Sequence, residues 1–241
     1  GSVLVAMVTP FDDDLELDLD AAVTLARWLV DHGADGLVLA GTTGEAPTLT
    51  DDESVDLWTA IRETVTVPLL AGTGSNDTRH TVQLSRRAAE VGVDGLLVVT
   101  PYYNRPSQAG LEAHFRAVAA ASDLPVMLYD VPGRTGRALA PETTLALARE
   151  VPTIVALKDA GGDPAATAAL IAEAPDGFEV YSGDEPLTLA FLAYGAVGVV
   201  GVSSHWTAPV QAEAFAAFEA GDVAAARALN ARLLPSYAFM N

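Results

Sequence analysis

One lysine stands among thirteen basic residues, at position 158, closing the apolar run Ile154-Val155-Ala156-Leu157. Every other lysine or arginine position in the chain holds arginine. A guanidinium keeps its proton at any physiological pH, whereas an ammonium moved out of water gives its proton up. The neutral amine then attacks a carbonyl carbon and forms an imine. A protonated imine of a 2-keto acid withdraws electrons from the adjacent carbon, which becomes acidic and then nucleophilic. The plain alternative is a strand-end lysine that snorkels to solvent. That alternative leaves the avoidance of lysine elsewhere unexplained.

Imine chemistry needs a proton shuttle, and a phenol suits the task. Tyr129 closes the apolar run before that of Lys158, while Tyr103 and the Thr42 hydroxyl could extend a relay to solvent. Taken alone, Tyr129 is equally a core aromatic with a wet tip. The stretch GTTGE (41–45) offers backbone N–H groups between two glycines, which suit a carboxylate, or it is an ordinary turn. Arg134 in VPGRTG (131–136) could hold a carboxylate through two parallel hydrogen bonds, or pair on the surface. Of the four histidines, 32, 80 and 114 fall in helical stretches and are expected to be solvated or half-buried, and His205 has no histidine partner in sequence. No metal site is expected. Asp12–Asp14 reads as a solvated loop.

The elements that must position these residues follow from an alternation of short apolar runs with Ala/Leu/Arg/Glu-rich stretches. Eight runs read as strands: Val3–Val8, Gly36–Ala40, Leu69–Gly72, Gly95–Thr100, Val126–Tyr129, Ile154–Lys158, Phe178–Ser182 and Val197–Val202. Most are continuously apolar, as for parallel strands covered on both faces. Helical spacing appears over 17–35, 50–65, 76–94 and 107–122, and Thr50 with Glu53 forms a capping-box signature. HGADGLVLAGTTG (32–44) is echoed by VGVDGLLVVTPYY (91–103) and more loosely by YGAVGVVGVSS (194–204), each a helix end, a glycine, a strand and a polar loop. Such units build either a doubly wound open sheet or a closed barrel. The first strand is followed by the acidic TPFDDDLEL and not by a glycine-rich nucleotide loop, so the expected fold is α/β, a (β/α)8 TIM barrel. Residues 1–220 form the barrel, and 221–241 begin a C-terminal helical segment. At the C-terminal ends of the strands the polar residues Thr42, Thr43, Thr100, Tyr102, Tyr103, Tyr129, Asp130, Lys158, Asp159, Ser182, Asp184 and Ser203 then converge on one mouth.

Composition narrows the partners. The 241 residues carry a net charge of −19, which opposes binding to nucleic acid or anionic membranes. There is no cysteine, so disulfides, thiolate metal sites and cysteine nucleophiles are excluded. No apolar run reaches membrane-spanning length, and a cytoplasmic location is expected.

GTTGE, TPYYNRPSQAGL, YDVPGRTG, VALKDAGG and YSGDE occur in this order at barrel spacing, and with them the chain resembles the dihydrodipicolinate synthase / N-acetylneuraminate lyase family of Schiff-base aldolases. The likeness runs from AMVTPF to at least GVVGVSS. It implies a cofactor-free lyase in which Lys158 forms an imine with pyruvate and Tyr129 moves protons, with Thr42 and Tyr103 completing a relay. It further implies that Thr43, Gly183 and Val200 bind pyruvate and that Arg134 receives the carboxylate of L-aspartate 4-semialdehyde, a step toward diaminopimelate and lysine. In the family the second tyrosine reaches in from a neighbouring subunit, so Tyr103 implies a homo-oligomer, dimer or tetramer. GTTGE, the paired tyrosines and PGRTG together favour this small substrate over the longer aldehydes of N-acetylneuraminate or 2-keto-3-deoxy sugar acid lyases. A non-catalytic binding barrel is disfavoured by the presence of lysine, tyrosine and relay together, and a metal-dependent aldolase by the lack of ligands. Lysine-inhibited members often carry histidines in the helix after GTTGE and a glutamate in the helix after strand 3. Here the stretches read TDDESVD and NDTRHT, which implies weak or absent feedback inhibition.

Overall fold

Short apolar strands separated by capped helices must be covered on both faces, and here eight of them close on themselves. The computed structural model describes residues 1–240. The strands are β1 (Val3–Ala6), β2 (Gly36–Leu39), β3 (Leu69–Gly72), β4 (Gly95–Val99), β5 (Val126–Asp130), β6 (Ile154–Asp159), β7 (Glu179–Ser182) and β8 (Gly198–Gly201). They pair in chain order, all parallel, and β8 returns to β1 with Leu4 opposite Val200. The helices are α1 (Leu19–Asp31), α2 (Asp51–Arg62), α3 (Thr78–Val91), α4 (Gln108–Ala119), α5 (Pro132–Thr135), α6 (Pro141–Glu150), α7 (Pro164–Glu173), α8 (Thr188–Tyr194), α9 (Ser204–Glu219) and α10 (Val223–Met240). This is a TIM barrel followed by a C-terminal helix pair.

Strand alternation sorts the side chains into two shells. Leu4, Ala6, Val38, Leu97, Met127, Tyr129, Ala156 and Val200 fill the barrel interior. Val5, Leu37, Leu39, Leu69, Leu96, Val98, Leu128 and Leu157 face outward and meet Trp58, Ile61, Leu111 and Phe115 from the helices. Each such leucine, fully withdrawn from water, contributes about 2 kcal/mol of transfer free energy. The two shells together hold the strand ends at fixed height, and that height is what the site requires.

Several starts and stops follow from local chemistry. Thr50 and Glu53 form the reciprocal capping box at the start of α2. Asp163 caps α7 by accepting from the N–H groups of Ala165 and Ala166. α3 ends at Gly92 with φ +83°. The strand limits differ from the sequence reading by one or two residues. The apolar runs continue into the mouth loops after the ladder stops, as at Met7 and Val8.

His114 corrects the sequence reading. It is buried, not solvated or half-buried, because its face of α4 packs on α3, where Thr78 Oγ1 lies 2.9 Å from its Nδ1. Burial pushes its imidazole down to about 4, so it is neutral. Within the stretch 221–241, α10 buries Ala226, Leu229, Leu233 and Tyr237, and Leu229 joins Ala208, Ala214 and Phe215 of α9 in a small core shared with Val3 and Val199. Asn241 lies outside the described residues.

Candidate active site

Simple alternation along β6 would point Lys158 the wrong way. Ile154 faces the outer shell, so residues 156 and 158 would face outward too. The strand instead carries an extra residue. Val126 of β5 pairs with Ile154, but Met127 pairs with Ala156, leaving Val155 as a bulge. The bulge flips the remaining strand by one position, so that Ala156 and Lys158 turn inward while Leu157 packs outward. Val155 is left partly in solvent.

Lys158 is 5 % exposed. Burial lowers its ammonium to about 8, the charge of Glu185 opposes that change, and Arg134 assists it. The aliphatic stem runs against Gly183, where a Cβ would stand 3.0 Å from the lysine Cε and 2.9 Å from the Ala160 Cβ. Only a glycine lets β7 approach this closely.

Tyr129 lies opposite Lys158 in the β5–β6 ladder, and the lysine Nζ sits 4.4 Å from the centre of its ring. Burial raises the phenol, with Asp130 adding to that, while Arg134 and a hydrogen bond from Thr42 pull it back. Lysine, tyrosine and threonine are therefore brought together as the sequence suggested. Val200 lines the interior on β8, fully buried, and Thr43 is half-buried in the turn after β2. Arg134 is exposed on the short helix α5, five residues after Tyr129, and its charge lowers the Tyr129 phenol.

Within one chain Tyr103 meets Thr42 and Tyr129 only as part of the same cavity lining. It is 89 % exposed, holds a φ of +71°, and its hydroxyl makes no hydrogen bond among the described residues. The loop after β4 turns it outward.

A cavity of about 840 Å3 lies over the mouth. Thr42, Tyr103, Tyr129 and Arg134 line it, and its lining extends to Asp51 on α2 and to Asn76 and His80 at the start of α3. Lys158, Thr43, Gly183 and Val200 are not on its wall, and Lys158 adjoins it through the ring of Tyr129.

One acidic residue was not singled out by sequence. Glu185, inside the YSGDE stretch, is buried and accepts from Val202 and Ser203 N–H and from the Ser203 hydroxyl. Its partners are about a strand and a turn away in sequence, so no local signal marks it. Asp130 follows Tyr129 and is also buried.

The Dihydrodipicolinate synthetase family model matches residues 1–240. The chain is 55 % identical over 239 residues to the 4-hydroxy-tetrahydrodipicolinate synthase of Acidothermus cellulolyticus, covering 98 % of this chain and 77 % of that relative. Among solved structures it is similar to a dihydrodipicolinate synthase from Bacillus anthracis, with TM-score 0.93, 45 % identity, and coverage of 95 % and 79 % of the two chains. A dihydrodipicolinate synthase from Cyanidioschyzon merolae, solved with lysine bound, superposes with TM-score 0.96 at 40 % identity over 98 % of this chain and 82 % of that one. Among the described residues, no helix is long and apolar enough to cross a membrane.

Asp130 makes the site pH-sensitive in a measurable way. Its oxygen accepts from Leu139 N–H at 3.0 Å and from the Thr100 hydroxyl at 3.4 Å. Burial nevertheless raises its carboxyl from 3.8 to about 6, with Asp159 contributing. A carboxyl whose folded value is raised stabilises the fold relative to its ionised form below the unfolded value, and that stability is lost as pH rises through the folded one. Asp130→Asn keeps both accepted bonds on the amide oxygen and never ionises. Its unfolding free energy is expected to gain on the parent between about pH 4 and pH 6.5, reaching on the order of 2 kcal/mol at neutral pH. Urea denaturation across this range measures it, and a difference independent of pH contradicts an ionising buried carboxyl.

Proposed function

The chain belongs to the dihydrodipicolinate synthetase family, and from that premise we propose that it condenses pyruvate with L-aspartate 4-semialdehyde to 4-hydroxy-tetrahydrodipicolinate, in lysine and diaminopimelate biosynthesis. It is a lyase of the 4-hydroxy-tetrahydrodipicolinate synthase type. The observation that carries this reading is a single lysine, buried at the mouth of the barrel with its amine lowered to about 8 and a tyrosine at its side.

In this reading the neutral Lys158 amine adds to the keto carbon of pyruvate, and water leaves as the imine forms. The methyl group then loses a proton and the resulting enamine attacks the aldehyde carbon, forming the new C–C bond. The amino group of the second substrate displaces the lysine and closes the ring, which frees the enzyme without any cofactor. Tyr129 carries protons to and from the imine nitrogen and the departing oxygen, and the hydrogen bond with Thr42 supports its part in a relay. Thr43, Gly183 and Val200 bind pyruvate, and Arg134 holds the carboxylate of the semialdehyde through two N–H donors.

Tyr103 acts from a neighbouring copy in a homo-oligomer, dimer or tetramer. An outward phenol with no partner of its own supports that reading. The enzyme works in the cytoplasm on small molecules. Feedback by lysine is weak. Where the cavity lining reaches α2 and the start of α3, Asp51 is paired to His80 at 2.7 Å, and Asp77 is engaged in capping α3. Each carboxylate already holds a partner through one oxygen.

Incubation with pyruvate, reduction by borohydride and mass spectrometry test the imine directly. One adduct is expected, mapping to Lys158, with only the terminal amine as a competitor. Lys158→Arg should abolish it and lower turnover with the semialdehyde by on the order of 10³-fold or more. A wild-type protein without adduct, or an arginine variant that keeps its turnover, contradicts the mechanism. Millimolar lysine is expected to leave the steady-state rate unchanged within about twofold, and strong inhibition would show that these paired carboxylates still accept an ammonium.

A further inference from the structure

The buried carboxylate of Glu185 is the most heavily coordinated acidic group in the molecule outside the reacting set. One oxygen accepts from Val202 N–H at 3.0 Å and Ser203 N–H at 2.9 Å. The other accepts from the Ser203 hydroxyl at 2.7 Å, the Gln211 amide at 3.1 Å and, more weakly, the Ser204 hydroxyl at 3.4 Å. Four donors face two oxygens, with the Ser204 hydroxyl turned mainly to Gln211 Oε1 at 2.7 Å, and that arrangement suits the ionised form. Gly201 leaves room for it, since a Cβ there would stand 2.6 Å from the carboxylate oxygen.

This carboxylate organises the corner between β8 and α9. The peptide joining Val202 to Ser203 donates its N–H to Glu185, and its carbonyl accepts from His205 Nδ1 at 2.7 Å. His205 Nε2 in turn accepts from Val8 N–H at 3.1 Å. A neutral imidazole with its proton on Nδ1 satisfies both contacts. The chain of bonds runs from Glu185 to the end of β1, across the seam where the barrel closes. It starts two residues beyond Gly183, the glycine against which the Lys158 stem rests.

We propose that Glu185 is a positioning residue of the imine site: it ties β7, β8 and β1 together around Lys158 and places a buried negative charge two residues from the glycine on which the lysine stem rests. Its charge opposes the desolvation that drives the proton off Lys158. The same charge favours the cationic imine once that has formed. Of the titratable and charged groups around Lys158, Tyr129 from β5 lies against the amine, and Arg134 from α5 and Glu185 act on it through their charge. Those acting with Glu185 are Asp184, His205 and Tyr237. Glu185 is the only one of the three groups around Lys158 that contributes a negative charge, and Arg134 acts in the opposite direction.

Glu185→Gln separates charge from shape. The glutamine can keep its oxygen toward Val202 and Ser203 N–H. Gln211 can turn its amide over and the Ser203 hydroxyl can rotate toward Thr207, while the Ser204 hydroxyl gives up its bond to Gln211 Oε1. The readout is the rate of pyruvate adduct formation at Lys158, trapped by borohydride across pH. Removing the charge removes the influence that raises the lysine, so the midpoint is expected to fall by roughly one pH unit. On the acidic limb the variant should then form adduct about tenfold faster relative to its own plateau. A purely structural role would instead lower the plateau or the melting temperature and leave the midpoint in place.

Should the single variant not accumulate as folded protein, Glu185→Gln/Gln211→Glu keeps one charge in the network but moves it toward α10, where Gln211 meets Tyr237. A smaller downward shift is expected there. A folded variant with the wild-type midpoint overturns the proposal. It rests on the imine chemistry proposed above, and the two fail differently: no adduct in the wild type removes that chemistry, whereas an adduct indifferent to residue 185 removes only this role.

Discussion

Lys158 Nζ is held out of water at the top of the barrel, and the surroundings answer to that single desolvated amine. An isolated charge is costly to bury, and a lysine meets the cost by giving up its proton. The same burial that lowers the ammonium to about 8 makes an unprotonated nucleophile abundant near neutral pH. Three features of the backbone hold it there. The Val155 bulge turns the side chain inward, Gly183 gives its stem room, and the β5–β6 register sets Tyr129 beside it. None of these features is chemical by itself, yet a change in any of them moves the amine relative to the Tyr129 ring.

Charge is then balanced around it. Arg134 favours the neutral amine and the ionised phenol, while Glu185 favours the ammonium. An amine driven too low would be a poor base for the cationic imine, and one left at its ordinary value would seldom be free to attack. Two opposite charges on different loops of the mouth set a value between those limits. Arg134 is exposed, so water screens its charge, whereas the buried position of Glu185 suits a constant background field.

Much of this was legible in the chain. Continuous apolar runs, glycines at helix ends and a missing nucleotide loop led to the closed barrel, and the lone lysine led to imine chemistry before any fold was drawn. What stayed hidden did so for physical reasons. Ile154 through Leu157 are all apolar, so no alternation betrays the bulge that turns Lys158 inward. The partners of Glu185 lie on β8 and α9, far along the chain, so only the folded backbone shows it to be buried and fully bonded. His114 looked like a helix-surface residue until the packing of α3 on α4 enclosed it. The exposure of Tyr103 belongs to the same class, since one chain alone gives its hydroxyl nothing to bind.

Because the chain has one lysine, selective 13C labelling of lysine Cε yields one side-chain resonance, and its pH titration reads the buried amine without assignment. The account predicts a midpoint near 8, well below the ordinary 10.5. A midpoint at the ordinary value would mean that the amine is solvated, and the central claim that burial makes Lys158 a nucleophile would be contradicted.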